Sequence, residues 1–205
     1  MSTIIDHQPT PEPDGENDPL SALLAARIRR ERHARDWTIA ELAAASGVSR
    51  AMISRIERGE ASPTAALLGK LSGAFGLTVS ALLARAEADA TPDRLSRATD
   101  RTAWVDPETG YVRHTLSPPG AEPEMVRVEL PPGKSVGYPA ASYSFMRGQC
   151  VWVMKGRLRI DEGDETTELG PGDCLAFDMA TTRDRRYTNP SDNETATYVV
   201  SLVRR

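Results

Sequence analysis

The stretch WTIAELAAASGVSRAMISRIERG, residues 37–59, decides how the first half of the chain is read. Thr38-Ile39-Ala40-Glu41 forms a capping box, in which a threonine hydroxyl and a glutamate three residues later satisfy free amides at a helix start. That helix ends near Ser46, because Gly47 can adopt the positive φ of a tight turn. Ser49 then caps a second helix running to about Arg58. Around it, Val48, Ile53 and Ile56 can face inward, whereas Arg50, Ala51, Ser54, Arg55 and Arg58 recur on the opposite side at three-to-four spacing. The pattern predicts two short helices joined by a glycine turn, the second with a narrow cationic outer face.

Further helices flank this pair. Upstream, Leu20, Leu24 and Ile28 lie four apart, with Leu23 beside them, as the inner stripe of a helix over about Leu20 to Arg35. Downstream, Ser62-Pro63-Thr64 opens a fourth helix with Leu67, Leu68, Leu71 and Phe75 inside, and Thr78 caps a fifth with Val79, Leu82 and Leu83. Residues 20–84 therefore read as an all-α, five-helix domain. Residues 1–19 hold four prolines, five acids and little to bury, which predicts a disordered tail. Residues 85–103 lose the helical period and read as a linker. From 104 to 205, β-branched and aromatic runs such as VRVEL, CVWVM, RLRI and ATYVVSLV alternate with Pro-Gly, Gly-Asp and Asn-Pro turns, which predicts an all-β domain.

Charge follows the same division. Residues 20–85 carry ten basic and five acidic side chains, whereas the chain as a whole has a net charge of −4. A basic segment inside an acidic protein is the electrostatic footprint of a part that meets phosphate. No apolar run approaches the ~20 residues that cross a bilayer, so no membrane partner is expected. The N-terminus has no basic start followed by an apolar stretch, so the expected location is cytoplasmic. Cys150 and Cys174 are too few for a disulfide framework, and three scattered histidines offer no metal-ligand spacing.

Residues 23–84 resemble the helix-turn-helix of the phage-repressor or XRE class. ELA, the GVSR turn, ISRIERG and the Ser-Pro before the fourth helix carry the resemblance. It implies a third helix lying in the DNA major groove, with Arg50, Ala51, Ser54 and Arg55 near base edges and Thr38 and Ser49 at the phosphate backbone. Ile39 stands where the class commonly has a phosphate-binding glutamine, so it is left out of the site. The resemblance also implies a structural ion pair between Arg32 and Glu57.

VWVMKGRLRI, LGPGDCLAF and the NPSDNETA turn are similar to those of a small cupin, a double-stranded β-barrel enclosing one pocket. Metal-binding cupins carry histidines and a glutamate where this chain has Ser142 and Ser144, or Tyr143 and Phe145 in a shifted register, then Gln149 and Arg185. A guanidinium stays protonated and repels a divalent cation, so neither a metal nor any other cofactor is expected. Gln149, Arg185, Tyr143 and Phe145 become the expected contacts of a polar or anionic effector. Trp152 and Tyr187 are assigned to the sandwich core instead.

Together these expectations describe a homodimeric regulator of transcription that reads a palindromic double-stranded operator and is tuned by a small molecule, not an enzyme. Two rival readings are a cupin enzyme, such as an isomerase or dioxygenase, with an accessory DNA-binding domain, and a ligand-blind regulator whose barrel only dimerises.

Overall fold

A computed structural model describes residues 19–87, 94–101 and 103–204. The expected tail lies outside the described residues, except for Pro19, which opens the first helix. Five helices follow in order: α1 (Pro19–His33), α2 (Ile39–Ser46), α3 (Arg50–Glu57), α4 (Ala65–Ala74) and α5 (Val79–Glu87).

Local chemistry sets their ends. The Thr38 hydroxyl accepts from the Glu41 amide at 3.2 Å, and the Glu41 carboxylate accepts from the Thr38 amide at 2.7 Å. Gly47 closes α2 with φ of 67°. Ser49, Thr64 and Thr78 accept from the amides three residues on at the starts of α3, α4 and α5. The helical core is built from Leu24, Ile28, Leu42, Ile53, Ile56, Leu68, Leu71 and Leu82, all fully buried. Two expectations need correcting. Helix α1 stops at His33, two residues short of Arg35, because the chain turns back through Asp36 at φ of 54°. Leu23 is exposed, since α1 meets its neighbours only along the Leu20–Leu24–Ile28 line.

The second half forms two antiparallel sheets. In chain order the strands are β1 (Ala103–Val105), β2 (Val112–Thr115), β3 (Glu124–Leu130), β4 (Ser135–Tyr138), β5 (Met146–Lys155), β6 (Leu158–Glu162), β7 (Glu165–Leu169), β8 (Cys174–Ala176), β9 (Arg185–Thr188) and β10 (Ala196–Arg204). One sheet runs β1-β2-β3-β10-β5-β8 and the other β4-β9-β6-β7. Their inner faces share Val126, Val128, Leu130, Val151, Val153, Leu158, Ile160, Tyr198 and Val200, giving the double-stranded barrel of the cupin type. The β5–β6 turn depends on Gly156, whose φ is 73° and whose absent Cβ would stand 2.8 Å from the Thr195 carbonyl oxygen.

Strand alternation corrects the reading of Trp152. Val151 and Val153 point inward, so Trp152 and Met154 point out, each 47% exposed. Cys150 is half-buried and Cys174 exposed, and both are free thiols.

The two halves are docked. Asp106, at the end of β1, accepts from the Ala65 amide at 2.8 Å and so caps α4 from the barrel side. Ser142 donates to the Gly69 carbonyl at 3.0 Å. Gly69 and Gly73 let α4 approach the short turn at Ala140–Tyr143: a Cβ on Gly69 would meet the Tyr138 ring at 2.6 Å, and one on Gly73 the Ser142 backbone at 3.3 Å. From α5, Thr78 donates to Glu124 and Ser80 accepts from Arg113. Two-sided burial explains why α4 and α5, which meet at 91°, are so apolar. No single helix among the described residues is long and apolar enough to cross a membrane.

Candidate nucleic-acid interface and barrel cavity

Helix α3 buries Ile53 and Ile56 and turns Arg50, Ala51, Arg55 and Arg58 outward, with Ser54 half-buried between them. The cations are not equivalent. Arg58 is held by the Glu60 carboxylate at 2.6 and 2.7 Å and also donates to the Ser54 hydroxyl. Arg50 and Arg55 make no ion pair among the described residues, so their guanidinium forks are available to an incoming acceptor.

At the start of α2 the Thr38 hydroxyl and amide are both engaged with Glu41, and these bonds hold the Glu41 carboxyl below the usual range. The Ile39 and Ala40 amides remain as the free donors of that helix end. Ile39 itself packs partly against the core. The Ser49 hydroxyl accepts from Met52 at 3.3 Å and retains its proton for donation.

Behind this face, Arg32 and Glu57 form a bidentate pair, Nε to Oε1 and Nη2 to Oε2, both at 2.8 Å. Arg32 also donates to the Trp37 carbonyl at 2.7 Å. The bridge joins α1 to the last residue of α3 and thereby fixes α3 against the core. Glu31, buried on α1, accepts from Arg27, Arg35 and Arg85, and so ties α1 to α5.

In the barrel, Arg185 is 1% exposed and fully engaged. Its Nε donates to Glu162 at 2.6 Å, its Nη1 to the Gln149 side-chain oxygen, and its guanidinium lies 3.9 Å from the Phe177 ring centre and 4.3 Å from that of Tyr143. Arg185 is thus neutralised and stacked, and a guanidinium cannot ligate a cation. The residues present therefore do not fit a divalent cation, and no three His, Cys, Asp or Glu side chains cluster for one among the described residues.

A cavity of about 50 Å³ lies between the barrel and α4–α5. Of the expected effector contacts, Gln149 and Tyr143 line it. Arg185 sits behind them, and Phe145 is half-buried elsewhere against the core. The cavity also takes in Tyr111, Arg113, Tyr138 and Tyr198, none of which was expected, with Ser72, Thr78 and Val79 as a roof from the helices. Tyr111 and Arg113 flank Val112 at the start of β2, a two-residue spacing that points both side chains inward; a strand assignment at YVRHT would have found them.

The helix-turn-helix model of the HTH_3 family matches residues 27–82, which contain α2, the glycine turn and α3. This part of the chain is an XRE-type helix-turn-helix domain. Over 60 residues the chain is 45% identical to the HTH-type transcriptional regulator SutR of Escherichia coli (strain K12), covering 29% of this chain and 33% of that protein. Over 76 residues it is 43% identical to the uncharacterized HTH-type transcriptional regulator Rv0023 of Mycobacterium tuberculosis (strain ATCC 25618 / H37Rv), covering 36% and 30%. The chain thus spans about a third of the length of these relatives. The crystal structure of an HTH_3 family transcriptional regulator from Vibrio cholerae matches with a TM-score of 0.72 at 22% identity, covering 91% of this chain and 97% of that one. At that identity the likeness concerns the fold, and it extends across both the XRE-type domain and the barrel.

Proposed function

We propose that this protein is a sequence-specific DNA-binding regulator of transcription. The observation that carries the reading is the outward face of α3, where Arg50 and Arg55 are exposed and in no ion pair among the described residues, on a helix held by the Arg32–Glu57 bridge within a matched helix-turn-helix domain. Arginine reads guanine through two acceptors at once, Ala51 offers a methyl contact, and Ser49, Thr38 and the α2 amides meet the phosphates. Ser54 reaches bases only if Arg58 releases it. With chromosomal DNA as its partner, the chain works in the cytoplasm.

One such domain makes too few contacts for tight specific binding, so we assign a homodimer on a palindromic operator with half-sites about one helical turn apart. The outer face of the six-stranded sheet supports this, because Trp152 and Met154 on β5 and Met125 on β3 leave large apolar side chains uncovered. The barrel binds a small effector in the cavity under α4–α5, with Gln149 and Tyr143 in its wall, and so changes operator affinity. No chemistry on that ligand is proposed: among the described residues no three His, Cys, Asp or Glu side chains cluster to hold a metal.

Selecting genomic fragments on the purified protein and footprinting the winners tests the reading. The expected footprint spans two inverted half-sites, and Arg55→Ala weakens binding by about 1–3 kcal/mol at fixed salt while leaving the helical circular dichroism unchanged. Equal affinity for every fragment, or an unchanged affinity in Arg55→Ala, would refute it.

A further inference from the structure

Among the described residues of the barrel, the guanidiniums of Arg113 and Arg185 are buried, and only that of Arg185 is in an ion pair. Arg185 is neutralised by Glu162 at 2.6 Å. Arg113, 7% exposed, donates from Nη1 to the Tyr111 hydroxyl at 3.1 Å and from Nη2 to the Ser80 hydroxyl on α5. Its Nε has no hydrogen-bond partner, and it forms no ion pair among the described residues. The acid in its neighbourhood is Glu124, whose Oε2 accepts from Thr78 and whose Oε1 faces Arg204 at 3.2 Å. Glu124 acts on Arg113 through space without pairing with it, so among the described residues this buried cation donates hydrogen bonds to neutral hydroxyls alone, and an anion seated against it would be favoured.

The space beside Arg113 suits such an anion. The cavity of about 50 Å³ is on the scale of a ligand of roughly four or five non-hydrogen atoms. Phenol hydroxyls and the Gln149 amide can serve a second anionic oxygen, while Val128, Val200 and Leu202 offer an apolar wall. Phosphate would bring more charge than one guanidinium offsets and no apolar part for that wall.

We infer that Arg113 receives the carboxylate of a small aliphatic acid bound between the barrel and helices α4–α5. This rests on the effector reading above and gives it a ligand class and a route. Ser80 grips the same guanidinium, and Ser72, Thr78 and Val79 roof the cavity, so an occupant touches the body that carries α3 as well as the barrel. Any ligand that prefers one seating of the helices on the barrel shifts the balance between seatings by that difference in affinity.

The test uses the full chain and thermal unfolding, with sodium formate, acetate, propionate and butyrate as probes. Propionamide, chloride and inorganic phosphate are the controls. The expected result is a rise of several degrees in Tm with acetate or propionate, little with butyrate, and none with the amide, chloride or phosphate. Arg113→Gln abolishes the rise, and in carboxylate-free buffer its Tm equals or exceeds that of the wild type, because a buried cation outside any ion pair has gone. A merely structural arginine would instead lower it. Ser80→Ala, which leaves the cation in place, weakens the carboxylate response several-fold and guards against a misfolded Arg113 variant. The inference falls if no carboxylate moves the wild type, if Arg113→Gln responds equally, or if phosphate and the amide match the acids. Operator binding measured on the same samples separates the two readings. Arg113-dependent carboxylate binding without any change in operator affinity keeps the site and overturns the regulatory role. Operator binding with no carboxylate response overturns the site alone.

Discussion

Replacing Glu57 by glutamine tests how α3 is held. The Arg32 and Glu57 side chains are 9% and 6% exposed, and two parallel 2.8 Å bonds join them. Removing one partner of a buried pair generally costs about 3–5 kcal/mol, because the remaining charge is left desolvated. Glutamine keeps one acceptor oxygen, and Arg32 keeps the Trp37 carbonyl at 2.7 Å, which places Glu57→Gln at the lower end, about 3 kcal/mol. That is a large share of the ~5–15 kcal/mol by which most domains are stable.

Urea unfolding followed by helical circular dichroism measures the cost, and a cycle with Arg32→Met isolates the bridge. Once Arg32 is an apolar side chain, the second substitution strands no cation, so the double variant costs at least about 1.5 kcal/mol less than the sum of the singles. Operator affinity falls along with stability in Glu57→Gln, in contrast to Arg55→Ala, which touches only the interface. A single-variant cost below about 1 kcal/mol, or two single costs that add to within about 0.5 kcal/mol, would show that the bridge does not fix α3.

Two further outcomes follow from the same coordinates. Gly156→Ala forces a Cβ to within 2.8 Å of the Thr195 carbonyl at a φ of 73°, so a loss of about 2–4 kcal/mol is expected, which scanning calorimetry would read as a Tm lower by roughly 4–16 °C; an unchanged Tm would contradict the turn geometry. Burial pushes the Glu31 carboxyl up, but hydrogen bonds from Arg27, Arg35 and Arg85 outweigh it and bring the group down from 4.5 to about 2. Because the folded pKa is the lower one, this contribution is complete above about pH 4.5 and disappears as the pH falls toward 2. The arginines are partly exposed and screened, so the contribution is about 2 kcal/mol, and Glu31→Gln should flatten the acid limb of stability against pH; an acid limb as steep as the wild type's would rule the cluster out as its source.

How much of this was legible in the sequence depends on how local its causes were. The caps at Thr38, Ser49 and Thr78 and the turn at Gly47 involve atoms within four residues, and the structure places each where the sequence puts it. Arg185 was legible as an inward side chain, but its neutraliser was not. Glu162 lies 23 residues upstream and becomes its neighbour only through the β6–β9 register, where the two stand opposite one another. Trp152 misled because its hydrophobicity suggested core, whereas the valines on either side had already claimed the inner face.

The docking of the two halves had a signal too, in α4 itself. AALLGKLSGA carries one charged residue in ten positions, Lys70, and two glycines four apart. A surface helix with a single buried stripe would present polar residues over most of its remaining face. This one buries Leu68 and Leu71 toward the helical core and sets Gly69 and Gly73 against the barrel, with Ser72 at the cavity. Both sides are therefore in use, and the lack of polarity all round is what a helix shared between two bodies requires. Glycine spacing alone could not say which partner would fill the second side, because Tyr138 and Ser142 reach it only after the β4 strand and the turn behind it are in place. The same arrangement that hid the contact from the sequence sets α4 between the two bodies: it lines the barrel cavity on one side and packs on the other against α2, which in turn packs against α3.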